Sequence, residues 1–306
     1  MPETNTTAAE HHDHDTPEAH REKRVVALTS VVAAVVLTSL KLTVGVATGS
    51  LGILSEAAHS GLDLVAAAVT FWAVKASARP ADTRHTYGHG KFENLSALFE
   101  TLLLLATCVW IVYEAVDRLF FHDVKVRVTA WSFAIMAISI VIDWSRSRAL
   151  LRVAKKYRSQ ALEADALHFS TDIYSSLVVI GGLGCVLLGA ELGVPWLAKA
   201  DCVAALVVAG IVVWISARLG KKSIDDLLDA IPPGTQEAVT KAAAAVPGVL
   251  DVRKARVRRA GPETFVDAVL TVGRTAHLER AHAIADAAEI AIRDVVPGAD
   301  VVVHIE

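Results

Sequence analysis

The sequence predicts an all-α six-helix transmembrane domain followed by a small cytoplasmic α+β domain with elements in the order α-β-β-α-β. Three observations carry this expectation. Apolar residues are 53% of the 306 and charged ones only 21%, with a mean hydropathy of +0.44, a balance unlike that of soluble domains. The apolar excess lies between Val25 and Arg218, and both flanks are polar. Beyond Leu228 the pattern changes to short amphipathic helices and alternating strands.

The elements follow in order. Residues 1–24 are expected to form a disordered cytoplasmic tail carrying His11, His12, His14 and His20. Such a tract reads equally as a loose metal trap and as a tail without a role. No signal-peptide pattern stands before Val25, so the first span is expected to direct insertion. Spans are expected at about 25–48, 52–77, 94–120, 128–150, 162–189 and 201–220, each reaching the roughly 20 residues that cross a hydrocarbon core. Turn signals at Thr48-Gly49-Ser50, Arg79-Pro80, Phe121-His122-Asp123 and Gly193-Val194-Pro195 separate them. The connections on one side, with the flanking segments, carry 16 Lys and Arg against 4 on the other. By the positive-inside rule both termini are expected in the cytoplasm, with the protein in the cytoplasmic membrane. Residues 25–222 are thus read as the six-span transmembrane domain and 223–230 as a linker. Residues 231–306 are read as a cytoplasmic regulatory and dimerisation domain.

In that last segment Ile231-Pro232-Pro233-Gly234 interrupts the helix. A helix is expected at about 235–246, then strands at 249–258 and 264–272 around Ala260-Gly261-Pro262. A second helix places Leu278, Ala281, Ile284, Ala285, Ala288 and Ile292 on one face, and a final strand covers 301–305. A unit of about 75 residues buries little core alone, so dimerisation is expected. The net charge of −3 argues against a nucleic-acid partner. Cys108, Cys185 and Cys202 all lie in apolar runs and read as small core residues rather than a disulfide or zinc framework.

The informative residues are the polar ones within spans. Span two holds His59 and Asp63, and span five holds His168 and Asp172, each pair spaced i, i+4 and therefore on one helix face. An Asp at a helix centre costs roughly 2.5–3.5 kcal/mol on insertion scales, so each needs a partner. A divalent cation supplies one: two carboxylates cancel its charge and two imidazoles complete a tetrahedral set. Interhelical hydrogen bonding would explain a single pair; two matching pairs on different spans favour metal or proton handling. Four protein ligands leave no open position for a bound water, and no HExxH motif is present, so a hydrolytic zinc enzyme is disfavoured. Lys41 is expected to snorkel from span one and Asp143 to pair with Arg146 or meet solvent.

These residues resemble the cation diffusion facilitator family over nearly the whole chain. The resemblance rests on Gly49-Ser50-Leu51, the two HxxxD pairs, and Arg79-Pro80-Ala81-Asp82 with Tyr87-Gly88-His89-Gly90-Lys91-Phe92-Glu93. Val246-Pro247-Gly248-Val249 adds to it at the start of the soluble domain. It implies a homodimeric exporter that exchanges cytoplasmic metal for protons, with a metallochaperone-like cytoplasmic α+β domain. A His-Asp/His-Asp quartet is similar to the zinc-preferring class, and imidazole suits zinc better than manganese. Cadmium, cobalt, iron(II) and manganese stay open as cargo, and no cofactor is expected. The alternative is a metal-responsive membrane sensor, which would not need a complete membrane ligand set.

The resemblance also implies a loop metal site at Asp82, His85 and His89, which reads equally as a solvated polar loop. It implies an ion pair between Lys91 and Asp229 joining the two domains. In the cytoplasmic domain His282, His304 and Glu306 remain as candidate ligands, or as polar surface residues. Arg253 and Val269 stand where the family often has His, and neither can ligate. At most one weakly held metal per protomer is therefore expected there.

Overall fold

The computed structural model describes residues 16–49, 51–120, 130–192, 200–274 and 277–306. The histidines at 11, 12 and 14 and the turns at 121–123 and 193–195 lie outside them. Six long helices come first: α1 Pro17–Thr48, α2 Leu51–Ser77, α3 Lys91–Phe120, α4 Ala130–Tyr157, α5 Gln160–Leu192 and α6 Ala200–Leu227. Then come α7 Thr235–Ala244, β1 Val249–Ala260, β2 Glu263–Val272, α8 Leu278–Val295 and β3 Ala299–Ile305.

Helix α1 begins inside the stretch expected to be disordered. Thr16 caps it by accepting the Ala19 N–H at 3.1 Å, and Pro17 stands at the first helical position, where a missing N–H costs nothing. Lys23 is buried against Glu93 at 3.0 Å, which ties this first turn region to α3. Two further bounds differ from expectation for the same kind of reason. Helix α4 continues through the basic run to Tyr157, with Glu22 accepting from Lys156 Nζ and Tyr157 Oη at 2.6 Å each. Helix α6 continues to Leu227 through most of the expected linker, where buried Asp226 accepts from Asn94 and Gln160.

Helix α1 packs on α2 and α4, α3 on α6, and α5 touches α2, α3, α4 and α6. Helix α5 is thus the hub of the bundle. Among the described residues, Pro17–Ala47, Glu56–Ser77 and Lys91–Tyr113 are long and apolar enough to cross a membrane. Large side chains such as Val109, Trp110, Val141 and Trp214 point outward and exposed, as a lipid-facing surface requires.

The cytoplasmic sheet has the order β1-β2-β3, with β1 and β2 antiparallel and β2 and β3 parallel. Val266, Ala268, Leu270 and Val272 alternate inward along β2 and meet Val239, Ala243, Ile284, Ala288 and Ile292 from α7 and α8. The β1–β2 hairpin turns on Gly261 at φ +65° and reaches the transmembrane domain. There the Gly261 N–H donates to Asn94 Oδ1 at 3.1 Å. A side chain on Gly261 would stand 2.6 Å from the Gly90 carbonyl oxygen, and one on Gly90 would stand 2.1 Å from that of Ala260. Glycine at both positions permits this backbone approach.

Candidate metal centre

Helices α2 and α5 bring the two HxxxD pairs together. His59 Nε2 lies 3.9 Å from Asp63 Oδ1 and 3.7 Å from Asp172 Oδ1. His168 Nε2 lies 3.2 Å from Asp63 Oδ1 and 3.6 Å from Asp172 Oδ2. Each carboxylate therefore faces both imidazoles, one from its own helix and one from the other. His168 is buried, the two aspartates nearly so, and His59 is the most open of the four, at 35% exposure. Ligand atoms of His59, Asp63 and Asp172 fall within 4.8 Å of one another, a spacing that an ion could close. Two anionic oxygens and two neutral nitrogens match a dication in charge and number.

Several polar residues around the quartet were not singled out from the sequence. On α3, Glu93, Ala97, Glu100, Leu104 and Cys108 form one buried stripe at helical spacing. Two carboxylates on a buried stripe, seven residues apart, were the available signal. Glu93 takes hydrogen bonds from Lys23, Ser77 and Ser159. Glu100 takes one from Thr70 at 3.0 Å and lies 3.6 Å from His168 Nδ1. Asp165, one turn before His168, accepts from Ser30 at 3.2 Å. Arg146 donates to Ser30 at 3.0 Å, lies over the Phe169 ring and pairs with Asp143 at 3.2 Å, the ion pair the sequence led us to expect. Lys41 departs from expectation: rather than snorkelling, it is buried and donates to Ser60 at 2.7 Å and Glu56 at 3.3 Å, one and three residues from His59. Hydroxyl and carboxylate partners on α2 satisfy the ammonium inside the bundle, so it has no need to reach the interface.

In the 2–3 loop, Asp82, His85 and His89 also converge within 4.8 Å. Asp82 lies 3.4 Å from His85 Nδ1 and 3.5 Å from His89 Nε2. Gly88 at φ +73° makes the bend that brings His89 back, so the convergence comes from a turn rather than from a local helix. The backbone N–H groups of His85 and Arg84 donate to Asp82 and hold its carboxyl below the ordinary range.

The cation efflux transmembrane domain matches residues 27–228, and the cytoplasmic domain of cation efflux proteins matches 231–306. The chain belongs to the cation diffusion facilitator family. It is 28% identical to the cation-efflux pump FieF of Pectobacterium carotovorum over 94% of both chains. It is 31% identical to the cation-efflux pump FieF of Cronobacter sakazakii over 91% of this chain and 90% of that one. A solved MamM CTD structure is similar to 24% of this chain, covering 94% of its own, at 28% identity and a TM-score of 0.23. As a member of this family the chain is an integral membrane protein of metal cation efflux.

Two family features read from sequence can now be placed. Lys91 Nζ lies 2.9 Å from Asp229 Oδ1 and donates also to the Leu227 carbonyl, across the boundary between the domains. In the cytoplasmic domain the remaining candidates do not converge within the chain. His282 is exposed with its Nε2 4.0 Å from Asp286, and Glu306 is held by Arg253 at 2.7 Å. Among the described residues, only the membrane and loop groups bring three or more such donors together.

Proposed function

We propose that this transporter exports a divalent transition metal, zinc foremost, from the cytoplasm in exchange for protons. The supporting observation is the convergence of His59, Asp63, His168 and Asp172 between α2 and α5, each carboxylate facing both imidazoles. Mixed nitrogen and oxygen donors suit zinc over the harder manganese, with cadmium, cobalt and iron(II) as weaker competitors. Ligands that bind metal must be free of protons, so loading and proton release are linked, and acid on the far side favours discharge. The loop group Asp82, His85 and His89 is proposed as a second, cytoplasmic site that receives metal near the transport path. Both termini are proposed to lie in the cytoplasm, a reading supported by the excess of Lys and Arg on that side. The active form is proposed to be a homodimer joined partly through the cytoplasmic domains, whose matched family is described as a dimer-forming one.

Reconstitution of the purified protein in liposomes with an imposed pH gradient tests this reading. Zinc uptake is expected to accelerate when the lumen is acid and to collapse with a protonophore, with zinc ahead of manganese in a metal panel. Uptake indifferent to the gradient would establish a uniporter instead. Absence of metal flux would overturn the transport reading in favour of a sensor.

A further inference from the structure

We infer that Glu100 is a positioning residue for the transport site: it accepts the Nδ1–H of His168 and thereby leaves Nε2 as the nitrogen that ligates metal. The inference rests on the quartet reading above and deepens it. His168 presents its two ring nitrogens to different surroundings. Nε2 faces Asp63 and Asp172 at 3.2 and 3.6 Å, and Nδ1 faces Glu100 Oε2 at 3.6 Å. Nδ1 and Oε2 are both buried and neither has a hydrogen-bond partner. A buried imidazole N–H and a buried carboxylate oxygen left unpaired are each costly. The gap exceeds hydrogen-bond length by only about 0.5 Å, a small rotation of either side chain. The other oxygen of Glu100 is anchored by Thr70 on α2, and Thr70 Oγ1 itself lies 3.4 Å from Ser96. The carboxylate is thus fixed from α2, carried by α3 and aimed at α5. Imidazoles that bind metal commonly donate their second N–H to such a carboxylate, which sets the tautomer, orients the ring and raises its basicity.

The test is zinc affinity of the full chain in detergent, measured by competition with a fluorescent chelator, for four variants. Glu100→Leu keeps the volume but removes the acceptor, and is expected to weaken zinc by about 10- to 100-fold. Glu100→Gln keeps an acceptor oxygen without the charge and is expected to weaken it by about 10-fold or less, but measurably. His168→Ala is expected to weaken zinc at least as much as Glu100→Leu. In the His168→Ala background Glu100→Leu should add nothing further, because a residue acting through His168 has nothing left to act on. A residue that only ties helices together would give additive losses. Additive losses, or unchanged affinity in both Glu100 variants, overturn the inference and leave the quartet standing. Should Glu100→Leu not fold, unchanged affinity in Glu100→Gln alone overturns it. Unchanged affinity in His168→Ala overturns the quartet reading itself.

Discussion

At the scale of single residues, the membrane quartet is a crossed arrangement in which each aspartate meets one imidazole from its own helix and one from the other. Asp63 meets His59 at 3.9 Å and His168 at 3.2 Å, and Asp172 meets the same two rings. Removing either aspartate leaves a bound dication with half its charge uncompensated. Breaking a buried charge pair from one side costs about 3–5 kcal/mol, or on the order of 10²- to 10⁴-fold in affinity. Asp63→Ala and Asp172→Ala are therefore expected to reduce zinc flux in liposomes to background while the protein still inserts and elutes as the native assembly. Retention of most flux by both variants sinks the proposed site. Selectivity is a separate matter. His59 is the most open ligand, and exchanging its nitrogen for a third carboxylate favours harder ions. In His59→Asp the preference for zinc over manganese should narrow by about 10-fold in competition assays; an unchanged metal series would place selectivity elsewhere.

The helices explain why some of this was legible in the sequence and some was not. An i, i+4 pair announces itself because the helix period alone puts both side chains on one face, and an aspartate in a span demands a partner. Glu100 makes the same demand, but its partners Thr70 and His168 lie on two other helices, and no spacing within α3 reveals them. Lys41 looked like a snorkelling residue because Ser60 and Glu56, its partners, are 19 and 15 positions away. The start of α1 was legible, in the Thr16-Pro17 cap, but the charged residues after it masked the signal. The β1–β2 hairpin was read from Ala260-Gly261-Pro262, yet its docking on α3 depends on Gly90, 171 positions away from Gly261 in the chain. That contact yields a test at the scale of elements. Gly261→Val puts a β-branched residue at φ +65° and against the Gly90 carbonyl. Amide exchange in the full chain should rise on the order of 10-fold at 258–261 and 88–94, while the rest of β2 from 264 onward keeps its protection. Unchanged exchange at the hairpin tip would mean that the two backbones are not held together in the membrane protein.

Across the whole molecule, among the described residues, candidate metal donors gather in the membrane and in the 2–3 loop. The membrane and loop groups converge, and the cytoplasmic candidates do not. Arg253 bears directly on one of the cytoplasmic candidates. Its guanidinium holds Glu306 at 2.7 Å, so a permanent cation occupies the carboxylate that an ion would otherwise claim. Such an exposed pair contributes at most about 1 kcal/mol to stability, but a guanidinium does not lose its proton to make way for metal. Metal content should follow this division. Equilibrium dialysis of the full chain against zinc, with bound metal counted by mass spectrometry, is expected to lose one ion per protomer in Asp63→Ala. A second should go in a His85→Ala/His89→Ala variant, leaving almost none when the two are combined. Tight zinc remaining in the combined variant would show that the cytoplasmic domains assemble a site across the dimer despite Arg253. The converse substitution sharpens the argument. Arg253→His removes the competing cation, frees Glu306 and adds an imidazole on β1, across β2 from His304 on β3. Added to the combined variant, it should restore about one weakly held zinc per protomer, since three donors are the least that hold the ion in protein sites. No gain in zinc with Arg253→His would show that the domain lacks the geometry for metal altogether, and that Arg253 is only one of several reasons.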